Sequence, residues 1–184
     1  MTSRYKIPAA GGLSPAADPP HEAVSTAAAA PPDEHVAGFH SLSVELTGFG
    51  EQELAGTGAG HVYLAFLLRA FPDTMPELLA AWRSVEAEYP PGERAAGLRK
   101  AILDDPKLGP FARAVTYLWY TASWPAMSAA WSKAYGEHPE DANRSFGREY
   151  PEGLVWRTSP GIHPGGAKPT GFGTWSFAPE ERTS

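Results

Sequence analysis

Cysteine is absent from the 184-residue chain. That removes disulfides, iron–sulfur clusters, thiolate zinc sites, covalent c-type haem attachment and a cysteine nucleophile together. The compartment stays open, because a cysteine-free protein tolerates either redox environment. Long apolar runs are missing too: none approaches the ~20 residues that span a bilayer. The N-terminus has no charged head followed by an apolar core, so no secretory signal is expected in the sequence as it stands. Positive charge is scarce: the formal net charge is −6, and no basic run offers a nucleic-acid surface. GxSxG, P-loop and HExxH motifs do not occur, nor does a period-two strand pattern or a repeat at solenoid spacing.

What is present is a globular average with irregular ends. Hydrophobic residues make up 42% and charged residues 20%, while glycine and proline reach 19 each, enough to punctuate the chain heavily. Residues 1–35 are rich in alanine, proline and small polar residues, with Tyr5 the only aromatic. Such a stretch buries too little apolar surface to offset its ordering entropy and reads as a disordered leader.

From residue 36 the patterning predicts a single domain, and its period is helical. Phe39, Leu42, Ser43 and Leu46 share a face, with Gly48 as a stop. Tyr63, Phe66, Leu67 and Ala70 form a second face that ends at Pro72. Thr74 with Glu77 three residues on has capping-box spacing ahead of the stripe Met75, Leu78, Leu79, Trp82, Val85 and Tyr89. Ala95, Leu98 and Ile102 align on a shorter helix. Phe111, Val115, Leu118, Trp119 and Ala122 make a strong apolar face that Pro125 breaks, and "AMSAAWSKAY" reads as one more short helix. The fold class expected is all-α: a small irregular helical bundle between the leader and a long Gly/Pro/aromatic coil segment, 136–184.

Candidate chemistry is sparse. The six histidines never stand within four residues of one another, so no local metal pair is read. "GTGAGHVYLAF" has the look of a phosphate-binding turn, but it lacks the GxGxxG spacing and the preceding strand of a dinucleotide site. It reads as a tight interhelical turn. Glu51, Glu53, Glu86 and Glu88 read as solvated faces or caps. The dense run "YLWYTASWPAMSAAW" supports two readings. Tyr117, Trp119, Tyr120, Trp124 and Trp131 are either a large aromatic core or a surface shared with a partner, since they cannot all point inward from one helix. The C-terminal segment raises the same question, because Tyr150, Trp156, Phe172, Trp175 and Phe177 would otherwise be left in water.

Several stretches together resemble one family: "FHSLSVELTGF", "ELAGTG", "ILDDPKLGPFARAVTYLWYTASW" and above all "YPEGLVWRTSPGIHPGGAKPTGFGTW". The chain is similar to the small subunit of membrane-bound, FAD-containing sorbitol dehydrogenases and related sugar or gluconate dehydrogenases. The matching residues are Leu46-Thr47-Gly48, Leu118-Trp119-Tyr120, Glu152 to Trp156, and His163 to Trp175.

The resemblance implies a non-catalytic accessory subunit with no cofactor of its own. Its partner would be an FAD-bearing large subunit of the glucose–methanol–choline type. A cytochrome subunit with c-type haem, where present, passes electrons to the quinone pool, and membrane association comes only through the complex. Trp119, Tyr120, Tyr150, Trp156, His163, Lys168, Phe172 and Trp175 are the expected partner-binding residues. Many members carry a twin-arginine signal, whereas this leader has only single basic residues at Arg4 and Lys6. The family location is periplasmic or membrane-associated, and this departure leaves a cytoplasmic complex open. Two other readings stand beside it. One is a self-sufficient enzyme using His61 or His163 in a tryptophan-lined pocket; the other is a self-contained helical module whose tail closes its own core.

Overall fold

The structure is a computed structural model, and it describes residues 31–158; the leader up to residue 30 lies outside them. The described residues form an all-α, small irregular bundle. Helix α1 (Asp33–Thr47) begins inside the stretch read as leader. Pro32 precedes it, and Asp33 and Glu34 place carboxylates where the helix dipole favours them. Phe39, Leu42 and Ser43 are buried as the period requires. The stop is at Gly48, whose φ of 75° lies in the left-handed region and whose N–H donates to the Val44 carbonyl.

Helix α2 (Glu51–Ala55) and helix α3 (Gly60–Ala70) follow. Glu53 reaches back to accept the Gly50 N–H at 2.9 Å, so it is a cap. Between these helices the Thr57 hydroxyl accepts the Ala59 N–H at 3.1 Å, which makes "GTGAG" the tight interhelical turn its spacing implied. Tyr63, Phe66, Leu67 and Ala70 of α3 all face the core.

Helix α4 (Thr74–Glu88) starts without the expected capping box. Thr74 is the first helical residue and is buried, and Glu77 instead pairs with the Lys107 ammonium. Helix α5 (Arg94–Leu98) runs into a π-helical turn, Arg99–Leu103. Leu98 and Ile102 are buried there, but Ala95 is exposed, contrary to the simple alignment.

Helix α6 (Leu108–Thr121) presents Phe111, Val115, Leu118 and Trp119 to the core. Around α1 pack α2, α3, α4 and α6. The chain then differs from the strand-free expectation: strand β1 (Ser123–Trp124) pairs antiparallel with β2 (Arg144–Ser145). Between them lies helix α7 (Ala129–Tyr135), capped by the Ser128 hydroxyl accepting the Trp131 N–H. Helix α8 (Val155–Thr158) is the last described element.

Candidate interaction surface at the end of helix α6

The aromatic run is resolved by a backbone reversal. Ala122, with φ of 50°, is the one non-glycine left-handed residue among those described, and it ends α6. The conformation costs roughly 1–2 kcal/mol in an isolated chain. It persists because the residue is wholly buried and bonded on both sides: its N–H donates to Leu118 at 2.8 Å, and its carbonyl accepts from Phe146 N–H at 2.8 Å. Trp124 and Trp131 therefore leave the helix that holds Trp119, and all three reach the core. Tyr117 stays outside, 50% exposed.

Each tryptophan among the described residues has a partner for its indole N–H. Trp82 donates to Ser41 Oγ at 2.7 Å, Trp119 to Ser43 Oγ at 2.9 Å, and Trp131 to the Lys107 carbonyl at 2.9 Å. Trp124 donates to Asp141 Oδ1 at 3.0 Å, and Trp156 to the Tyr150 carbonyl at 3.0 Å. The rings form a continuous series. Trp119 packs on Phe39 and edge-on to Tyr63; Phe146 and Phe66 extend it to Trp124, Phe71, Phe111 and Trp131. Such contacts contribute ~0.5–1.5 kcal/mol each beyond area burial. Burial pushes the Tyr63 hydroxyl well above the usual phenol range, with the Glu149 carboxylate adding to it.

Asp141, in a stretch that reads as polar loop, holds the region together. Besides the Trp124 indole, its carboxylate accepts the Met127 N–H at 3.0 and 3.1 Å. Asn143 accepts the Ala126 N–H at 2.9 Å. Arg144 lies over the rings of Phe66 and Phe146 at 5.1 and 5.0 Å.

The described part of the C-terminal segment packs on its own bundle. Leu154 is fully buried and its N–H donates to the Trp119 carbonyl at 3.1 Å. A Cβ on Gly153 would sit 2.8 Å from the Tyr120 carbonyl oxygen, so only glycine allows this approach. A turn at Tyr150–Glu152 and α8 replace the continuous coil that the composition implied. Tyr150 and Trp156 meet edge-on at 5.4 Å, with Tyr150 43% exposed.

These positions divide the expected partner-binding set. Trp119 is a core residue, a correction to its reading as an anchor: its whole ring is surrounded and its N–H is spent inside. Tyr120 is half-buried, edge-on to Phe49, and donates to the Thr47 carbonyl at 3.0 Å, so it too serves the bundle. Tyr150 and Trp156 come together on the surface beside the end of α6. His163, Lys168, Phe172 and Trp175 lie outside the described residues. His61 is exposed on α3, and none of Trp82, Trp119, Trp124 and Trp131 contacts it through a ring or hydrogen bond.

Sequence reasoning missed a groove of about 290 Å³ on the outer side of α6. Pro110, Arg113, Ala114 and Tyr117 line it from the helix, and residues 125–128 from the segment that Asp141 holds. The helical spacing of its α6 residues was visible, but the opposite wall depends on the reversal at Ala122.

The fold defines an all-α bundle closed by an aromatic core. The chain matches no protein-family profile, no curated protein and no solved structure. The likeness to dehydrogenase small subunits rests on the quoted stretches alone.

Proposed function

We propose that the chain is a non-catalytic accessory subunit of an FAD-dependent sugar or polyol dehydrogenase, sorbitol- or gluconate-type, which it binds and stabilises. The reading is carried by the C-terminal motif block, from Glu152-Gly153-Leu154-Val155-Trp156 onward. Its first residues wrap the end of α6 and leave Tyr150 in water beside Trp156. Large amphipathic rings held at a surface by a rigid scaffold are favoured anchors, because little side-chain freedom remains to be lost on binding. In this reading the flavin belongs to the large subunit, and haem, where present, to a third. The location follows the complex: periplasmic or membrane-associated. Among the described residues no helix is long and apolar enough to cross a membrane.

The test is affinity capture of the tagged full-length chain from its native host, followed by an absorbance spectrum of the eluate. A stoichiometric larger protein with flavin absorbance supports the reading. A colourless eluate holding this chain alone sinks it. That second result favours a self-contained helical module, whose motivating observation is Leu154 buried against its own bundle.

A further inference from the structure

Both walls of the groove along α6 come from one stretch of the chain, and the charge of that stretch is of one sign. Between Asp105 and Glu137 the sequence has Lys107, Arg113 and Lys133 and no acidic residue, in a chain whose formal net charge is −6. We infer that the groove binds a proline-rich, extended segment of a partner protein, with a proline of that segment against Tyr117 and a carboxylate on Arg113. The inference goes beyond the accessory-subunit reading and does not rest on it.

Charge selects the sign of the partner. Lys107 is engaged by the Glu77 carboxylate, whereas Arg113 is exposed and pairs with no carboxylate among the described residues. Its Nη1 donates to the Leu103 carbonyl at 3.3 Å, which draws the guanidinium back beside Gly109, at the Pro110 end of the groove. The remaining N–H groups of that fork suit a carboxylate. Asp141, which holds the opposite wall, already accepts from the Trp124 indole and the Met127 N–H. The groove thus has a cation towards one end, a half-exposed phenol at the other and no anion in its walls.

Hydrogen bonding selects the conformation. Pro125 has no N–H, and those of Ala126 and Met127 are spent on Asn143 and Asp141, so this wall cannot take an added strand. What the groove offers is donors: the Tyr117 hydroxyl and the rest of the Arg113 guanidinium, neither bonded further among the described residues. A helical ligand has its carbonyls bonded internally. A polyproline II segment keeps every carbonyl available and, where proline recurs, has few N–H groups to satisfy. Such segments dock on aromatic-lined grooves, and here Tyr117 stands beside the small Ala114, with Pro110 and Pro125 on the two walls. Length sets the spacing. From Pro110 to Tyr117 the groove runs roughly 10 Å along the helix axis, which accommodates about three residues at ~3.1 Å each. The carboxylate therefore stands about three positions from the proline on Tyr117.

The probe is a fluorescein-labelled, proline-rich peptide ending in two glutamates. The full chain is titrated into it at low salt, and fluorescence anisotropy is followed. Saturable binding is expected, and it should weaken about fivefold or more when lysines replace the glutamates or when Arg113→Gln is introduced. Tyr117→Ala should weaken it about tenfold or more. Both side chains are exposed, and circular dichroism checks that each variant keeps its helices. An alanine-rich helical peptide with the same two glutamates separates conformation from charge: equal binding of the two peptides would overturn the inference. So would the absence of saturable binding, or an affinity unchanged in both variants. A chain that self-associates through Tyr117 and does not take up the peptide would overturn it too, with a second copy as the occupant.

Discussion

The hydroxyl of Ser43 donates to the Phe39 carbonyl at 2.7 Å and accepts the Trp119 indole N–H at 2.9 Å, all out of water. A buried polar group is cheap only while paired. Trp119→Phe removes the donor and opens space against Tyr63 and Phe39; it should cost roughly 2–4 kcal/mol, read as a lower urea midpoint at unchanged slope. Tyr63 supplies a pH test. Its hydroxyl ionises near 10 in the unfolded chain but above that in the fold, so the folded state holds the proton that the unfolded state loses. The Tyr63 contribution is therefore present below about pH 10 and declines as pH rises past it. Tyr63→Phe should flatten the fall in urea midpoint between about pH 9 and 11, when compared with the parent chain. An equally steep fall in both would show that burial of this hydroxyl is not what alkali opposes.

At the scale of elements, the helices were legible wherever period and burial agree. The faces of α3 and α4 and the Phe111–Trp119 stripe follow from spacing alone, because a helix that packs on one side repeats near 3.6 residues. Legibility ended where the chain departs from that period. Ala95 stays exposed beside buried Leu98 and Ile102, and the reversal at Ala122 carried Trp124 off α6. Asp141 was invisible for a different reason: an aspartate in a polar loop has no periodic signature. Its weight can be measured. Asp141→Ala leaves the buried Trp124 N–H and the Met127 N–H without their acceptor and should cost about 2–3 kcal/mol. Asp141→Asn retains one oxygen and should lose less. Equal stability of parent and alanine variant in urea unfolding would show that β1, β2 and the ring stack hold this region unaided.

At the scale of the whole molecule, most aromatic side chains among the described residues are buried, and Tyr117 and Tyr150 are the exposed ones. Tyr150 and Trp156 are the described pair within the expected partner-binding set, with Trp175 outside the described residues. If these rings anchor a flavoprotein, Trp156→Ala or Trp175→Ala should weaken the complex by ~2 kcal/mol or more, measured as Kd by titration. Far-ultraviolet circular dichroism of each variant separates lost contact from lost fold. Normal affinity in both would remove the C-terminal segment from the interface.

The sequence by itself determined the all-α class, the main helical faces, the tight turn before α3 and the absence of any cysteine chemistry, because composition and short-range period are properties of the chain alone. Whether a given aromatic ring is core or surface was decided only by the tertiary structure. Trp119 and Tyr117 stand two residues apart on one helix. One is enclosed by Phe39 and Tyr63 while the other lines an open groove, because what surrounds a side chain is set by elements distant in sequence.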